Sequence, residues 1–380
     1  MTPNDFEFPE ILYNSRPKVV FGPGALGAVG ALARELGGCR VLVVTDPGVA
    51  AAGHAARAAE SLSAAGLATA LFSAVEENPS EDHVAAATAA ARDHQTDFII
   101  GLGGGSAMDT AKGCNFILTN GGRMRDYWGV GKAERPLLPM MSIPTTAGTG
   151  SEAQSFALIR DPQTHQKMAC GDPKALSRVA ILDPDLIATV PARVAAAAGI
   201  DAVAHAVETA GSTRRTELSR HLSREAWTRL TGSFAKAMAG AATADGRVRA
   251  DMLLGAHLAG AAIEASMLGA AHACANPLTS EFGVTHGVAV GLMLPHVVRF
   301  NARERNPYAE LEPDANRLAQ TIEGLLDAAR LPRRLEDLGV PTESLRKLSV
   351  LAAQQWTAKF NPRPMGESEM LALYLAAASR

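Results

Sequence analysis

The stretch Asp97-Phe98-Ile99-Ile100-Gly101-Leu102-Gly103-Gly104-Gly105-Ser106 decides the fold. Its apolar half is the short continuous run of a strand buried on both faces, and its glycine half is a loop that opens a helix carrying Asp109 and Lys112. Upstream the same unit recurs. Val41-Leu42-Val43-Val44-Thr45 reads as a buried strand closed by Asp46-Pro47-Gly48, with a helix over residues 54 to 65. A second apolar run from Leu67 to Phe72 leads into Glu76-Glu77-Asn78-Pro79-Ser80, where Ser80 is placed to cap an Ala-rich helix over 82 to 92. Strands and helices alternating at this spacing predict a parallel sheet covered on both faces.

Downstream, Pro139 to Pro144 is a further apolar run, followed by the loop Thr145-Thr146-Ala147-Gly148-Thr149-Gly150-Ser151. Residues 155 to 187 read as a β-excursion that ends in a strand from Arg178 to Leu182 and the turn Asp183-Pro184-Asp185. Beyond Thr189-Val190-Pro191, long Ala- and Leu-rich segments at helical spacing, broken by Gly and Pro, replace the β-branched clusters. The expected organisation is an α/β domain over 1–188 and an all-helical domain over 189–380. A chain of 380 residues exceeds what one hydrophobic core usually organises, which also favours two domains.

Composition narrows the class. An apolar fraction of 47% and a charged fraction of 20% are those of an ordinary globular protein. A formal charge of -3 without a basic stripe leaves no electrostatic footprint for nucleic acid or an anionic membrane. The start MTPNDFEFPE has neither the basic residues nor the apolar run of a signal peptide, so the expected location is the cytoplasm. Cys39, Cys114, Cys170 and Cys274 are scattered and form no CxxC pair, which points to free, mostly buried thiols.

Chemistry concentrates in the second half. Asp201 and His205 sit four apart, and on a helix that spacing puts both side chains on one face, where they can share an ion or simply hydrogen-bond. His272 lies within an Ala-rich helix, where a buried ring needs a partner. His286 follows in Thr285-His286-Gly287, at a turn before another apolar helix, and His296 comes ten residues later. Three neutral imidazoles and one carboxylate suit Zn²⁺ or Fe²⁺ and leave a position open for substrate. In the first half, Gly103-Gly104-Gly105-Ser106 lets backbone N–H groups approach a pyrophosphate at a helix N-terminus, although glycine runs also form plain turns. Asp46, at the end of its strand, is a candidate acceptor for ribose hydroxyls or else a turn-initiating residue. It precedes the glycine loop, the reverse of the usual dinucleotide fingerprint, so an unusual strand order is expected.

The segments D-A-x-x-H (201–205), H-x-x-x-N-P-L (272–278), H-G-V-A (286–289), G-G-G-S-x-x-D-x-A-K (103–112) and P-T-T-x-G-T-G-S-E (144–152) together resemble the iron-containing, or group III, alcohol dehydrogenases. The resemblance covers nearly the whole chain in the same order. It implies the dehydroquinate synthase-like fold of that family, with an N-terminal dinucleotide-binding domain and a C-terminal helical domain whose metal is held by Asp201, His205, His272 and His286. The implied metal is Fe²⁺, with Zn²⁺ as the alternative, and the implied partners are a small alcohol or aldehyde and a second copy of the chain. It also implies that Asp46 receives the adenosine ribose, favouring NAD over NADP, and that Asn78, Thr145, Thr146, Thr149 and Lys167 contact the dinucleotide. Asp109 and Lys112, three apart on one helix, serve either the loop's structure or the cofactor. Where many members carry a second histidine near substrate, this chain has Asn276, which cannot titrate near neutral pH. Asn361 and Arg363 are further polar candidates. Related activities of the same fold are maleylacetate reductase, zinc glycerol dehydrogenase and hydroxyacid–oxoacid transhydrogenase. A nucleotide- or metal-binding assembly protein is the non-catalytic alternative.

Overall fold

The computed structural model describes Leu12 and residues 16–164, 166–240 and 245–378, so the N-terminal decapeptide lies outside the described residues. Two compact units emerge, one formed by the chain through Thr146 with Gly150–Val190, the other by Ala147–Thr149 with Pro191–Arg380.

Among the described residues of the first unit, nine strands run as β1 (Lys18–Phe21), β2 (Arg40–Val44), β3 (Ala68–Phe72), β4 (Phe98–Gly103), β5 (Gly129–Val130), β6 (Met140–Pro144), β7 (Phe156–Arg160), β8 (Lys167–Gly171) and β9 (Val179–Leu182). Five α-helices accompany them among the same residues: α1 (Val29–Glu35), α2 (Pro47–Ala51), α3 (His54–Ala64), α4 (Glu81–Asp93) and α5 (Gly105–Asn120). The main sheet has six parallel strands in the order β1-β9-β6-β4-β2-β3. Successive side chains of a strand point to opposite faces. Accordingly Val41 and Val43 pack with Ala55, Ala58 and Leu62 of α3, while Leu42 and Val44 pack with Ala87 and Ala91 of α4 and Ala111 and Cys114 of α5. A sheet buried on both faces explains why β2 and β4 read as continuous apolar runs.

The β-excursion proves to be a separate three-stranded sheet, β5-β8-β7, from which β9 returns between β1 and β6. Helix α5 ties it to the glycine loop through a buried polar relay. Lys112 Nζ donates to Ser151 O (2.7 Å), Ser151 Oγ (2.8 Å) and Phe156 O (2.9 Å), and Ser151 Oγ donates in turn to Asp109 Oδ1 (2.7 Å). Asp109 Oδ2 accepts from Leu158 N–H at 3.2 Å. Burial raises the Asp109 pKa and the Lys112 ammonium counters it, the first effect being the larger.

The second unit is helical: α6 (Ala192–Gly211), α7 (Glu217–Ala239), α8 (Gly246–Glu264), α9 (Ala270–Phe282), α10 (His286–Asn301), α11 (Ala315–Ala328), α12 (Leu345–Ala353) and α13 (Glu367–Ala378). Its centre is α6, buried almost continuously from Ala196 to Gly211 and packed by α7, α8 and α10. Small residues make that packing possible. Helices α9 and α10 run through Pro277 and Pro295 rather than breaking there, because buried neighbours offset the lost hydrogen bond of each proline. Among the described residues no helix is long and apolar enough to cross a membrane. All four thiols are free, and only Cys39 is exposed.

Lys112→Met removes a buried cation and leaves the Asp109 carboxylate without it. The expected cost is about 3–5 kcal/mol, far more than a methionine's added apolar burial recovers, and a lower urea midpoint at unchanged denaturant slope would register it.

Candidate metal centre and glycine loop

Asp201 and His205 occupy successive turns of α6, His272 lies in the first turn of α9, and His286 is the first residue of α10. Three helices therefore deliver four side chains to one place. His205 Nε2 stands 3.2 Å from His272 Nε2, and Asp201 Oδ1 stands 3.5 Å from the first and 3.4 Å from the second. Ligand atoms of Asp201, His272 and His286 all lie within 4.8 Å of one another. The His205 and His272 rings stack with centroids 5.0 Å apart, and His286 tilts against His272 at 5.3 Å. Asp201, His205 and His272 are buried, and His286 is half-buried.

This donor set fits a divalent cation. Metal–nitrogen and metal–oxygen bonds near 2.1 Å in a tetrahedron leave ligand atoms about 3.4 Å apart, the spacing found between the first three atoms. Asp201 Oδ1 is buried without a hydrogen bond, a state that costs a carboxylate several kcal/mol unless a charge faces it. Burial opposes ionisation of Asp201, yet the three histidines hold its pKa well below the usual carboxylate range. Burial likewise lowers the His205 pKa. For His272, burial is outweighed by Glu208 and Asp201, which raise the ring to about 9.

Glu208, one turn beyond His205, belongs to none of the sequence motifs. It is buried, hydrogen-bonded to His272 Nδ1, and its Oε1 accepts from Ala271 N–H at 2.7 Å. A stripe of polar residues at 201, 205 and 208 on an otherwise Ala- and Val-rich helix is the signal that marks it.

In the first unit, the register pairs Val44 with Gly101 and Gly103 with Pro144, so the carboxyl ends of β2, β4 and β6 are neighbours. Asp46, the glycine loop and Thr145–Thr146 are thereby brought together at one edge of the sheet. Asp46 caps α2, its Oδ1 accepting from Val49 N–H at 2.9 Å. A Cβ added to Gly103 would lie 3.1 Å from Asp46 Oδ2 and 2.7 Å from the Ala107 Cβ, and Gly103 has φ +152°. Gly105 opens α5 with Gly104 as its N-cap, Ser106 follows in the first turn, and the Thr146 hydroxyl lies against Gly104. Thr145 is buried, its N–H donating to Gly103 O at 3.0 Å. Asn78 adopts φ +55°, a conformation asparagine tolerates, in the loop whose Pro79 O accepts from Arg160 N–H. Lys167 pairs in register with that same Arg160, while Thr149 belongs to the helical unit.

Residues 16–184 match the family model for iron-containing alcohol dehydrogenase, and residues 195–378 match that for the C-terminal part of the Fe-containing alcohol dehydrogenase family. The chain belongs to the iron-containing alcohol dehydrogenase family. It is 30% identical over 364 residues to the NAD-dependent methanol dehydrogenase of Bacillus methanolicus, covering 91% of this chain and 94% of the relative. Identity to the 1,3-propanediol dehydrogenase of Klebsiella pneumoniae is 33% over 374 residues, 93% of this chain and 95% of that one. The solved alcohol dehydrogenase from Oenococcus oeni superposes with a TM-score of 0.91 at 28% identity, covering 94% and 97% of the two chains. The protein is thus an oxidoreductase of this family.

Against the family's pattern, Asn276 stands one turn after His272 and its Nδ2 donates to Gln355 Oε1 at 3.0 Å. Asn361 is buried in a reciprocal amide pair with Asn301 (2.8 and 2.9 Å), and Arg363 donates to Phe300 O at 2.8 Å, closing the end of α10. Both are committed to packing. His296 lies among Arg299, Glu323 and Arg333, where burial first and Arg299 second lower its pKa to about 4.

Two outcomes follow. A methyl group on Gly287 would meet Ala197 O at 2.1 Å and Asp201 Cβ at 3.2 Å, forcing α10 and its His286 away from α6. Gly287→Ala is expected to cost about 1–3 kcal/mol and to lower bound metal per chain, measured by calorimetry and elemental analysis. His296 binds its proton more weakly folded than unfolded, so its contribution is whole above the ordinary imidazole value of 6.5 and is lost as pH falls toward about 4. Replacing it by glutamine should flatten the stability–pH curve in that window, and an unchanged slope would contradict this.

Proposed function

We propose that this chain transfers a hydride between a primary or secondary alcohol, or the matching aldehyde or ketone, and NAD, with a divalent cation held by Asp201, His205, His272 and His286. The observation that carries this is the buried convergence of one carboxylate oxygen with imidazole nitrogens at 3.2–3.5 Å in a chain of this family. When bound, the cation supplies Lewis-acid polarisation of the substrate oxygen, and the nicotinamide supplies or accepts the hydride. Fe²⁺ is the proposed ion on the family's name, and the same nitrogen-rich donor set suits Zn²⁺.

The protein's own groups do the remaining work. Backbone N–H groups of Gly103–Ser106, at the N-terminus of α5, favour the pyrophosphate. Asp46 accepts from the ribose hydroxyls, and its charge repels a 2′-phosphate, which favours NAD. Thr145, Thr146 and Thr149 present hydroxyls to the dinucleotide, Asn78 an amide and Lys167 a cation. Asp109 acts from behind, holding the loop at Ser151. Asn276 cannot take up a proton near neutral pH, so the proton of alcohol oxidation leaves by another route, through water. Relatives named for methanol and 1,3-propanediol support a small alcohol as substrate. A homodimer or higher homo-oligomer is part of the same proposal.

His272→Ala and Asp201→Ala should each lose bound metal and lower turnover by roughly a thousandfold or more, several kcal/mol of lost stabilisation. Unchanged metal content and turnover would refute the ligand assignment. Asp46→Ser keeps an N-cap oxygen while removing the charge, so it should shift the NADP-to-NAD ratio of kcat/KM upward by about tenfold with α2 intact. An unaltered ratio would leave Asp46 as a cap only.

A further inference from the structure

Helix α9 begins where Gly269 leaves its first N–H groups without helical partners. Two groups from elsewhere in the helical unit fill that need. Asn361 Oδ1 accepts from Ala270 N–H at 3.4 Å, and Glu208 Oε1 accepts from Ala271 N–H at 2.7 Å. The other Glu208 oxygen meets Nδ1 of His272, the next residue. One carboxylate from α6 therefore caps α9 and grips the ring that α9 carries. Gly269 permits it, since a Cβ there would crowd Glu208 Oε1 at 3.1 Å and Asn361 Oδ1 at 3.2 Å.

A carboxylate only accepts hydrogen bonds, so the ring it grips must carry its hydrogen on Nδ1. When the ring gives up its second proton, as ligation requires, the lone pair is on Nε2, the atom 3.4 Å from Asp201 Oδ1 and 3.2 Å from His205 Nε2. We propose that Glu208 is a positioning residue that fixes the tautomer and orientation of His272, and so sets the affinity of the helical unit for its divalent cation. This rests on the ligand assignment proposed above. The carboxylate adds negative charge behind the ring and makes Nε2 a stronger donor, and outer partners of this kind typically contribute 10–100-fold in metal affinity.

Glu208→Gln separates positioning from capping. The amide has one oxygen and one NH₂ group. With its oxygen on Ala271 N–H, its NH₂ donates to Nδ1 and drives the ring hydrogen to Nε2, where it blocks a cation. With the amide reversed, NH₂ opposes Ala271 N–H, and the cap is lost instead. The experiment titrates the full-length apo protein with Zn²⁺ against a chromophoric chelator and records the thermal midpoint of each metal-free form. The variant should bind Zn²⁺ about 10–100-fold more weakly than the wild type, with apo midpoints within a few degrees. Equal Zn²⁺ affinity and an equal apo midpoint in the variant and the wild type, alongside lost binding in His272→Ala, would overturn the role of Glu208 while sparing the ligand assignment. No Zn²⁺ binding by the wild type would overturn both. Should the variant fail to fold, or keep its Zn²⁺ affinity at a lowered midpoint, ¹⁵N-resolved imidazole spectra of the Zn²⁺-loaded wild type decide: hydrogen on Nδ1 of His272 supports the role, and hydrogen on Nε2 overturns it.

Discussion

Placing a carboxylate and three imidazoles among alanines is unfavourable unless each buried charge and lone pair meets a partner, and the helical unit is organised around meeting that requirement. Helix α6 supplies Asp201, His205 and Glu208 from one stripe, with Ala and Val filling its other faces. Such small neighbours let α10 come close enough for Gly287 to abut Ala197 and for His286 to reach the cluster. Close packing and the polar cluster are therefore one design. Larger core residues would gain apolar area but hold the helices too far apart for side chains from three of them to converge.

The α/β unit meets a different requirement, the close approach of backbone segments at the carboxyl edge of its sheet. Parallel strands end at a common edge, and the polar residues there are brought together by strand order rather than by sequence proximity. Asp46 precedes the glycine loop by two strands, yet β2 lies directly beside β4, so the acid and Gly103 are neighbours. Behind this edge, the Lys112–Ser151–Asp109 relay fastens the threonine loop to α5. Loops free to choose their conformation lose ordering entropy on binding any ligand, and a buried relay removes part of that loss beforehand.

Local signals carried much of this into the sequence. Strands β2 and β4 announced themselves as apolar runs because both their faces are buried, and the helix after Ser80 by its capping residue. The four proposed ligands were legible because their spacing and neighbours form motifs. Long-range placement was not. Strand β1 is a short, partly exposed edge that pairs only with β9, far along the chain, and its four residues have no pattern of their own. Glu208 looked like an ordinary helical glutamate because its partners, Ala271 and His272, lie on another helix. Asn361 and Arg363 looked available for a ligand, yet tertiary packing had already used them, one in an amide pair with Asn301 and the other over the Phe300 ring at 4.7 Å. Propensity and periodicity report on neighbours in sequence, and these residues answer to neighbours in space.

Charge balance links the departure at position 276 to the rest of the cluster. Asp201 and Glu208 are its carboxylates, and once the imidazoles are neutral, as ligation would require, their two negative charges would match one divalent cation. A monovalent ion would leave a net charge buried, and a trivalent one would add the opposite. A histidine at 276, when protonated, would add a positive charge one turn from His272 and unsettle that neutrality during each proton transfer. Asn276 is neutral at every physiological pH and is held by Gln355. The chain thus gives up a titratable group beside its buried centre.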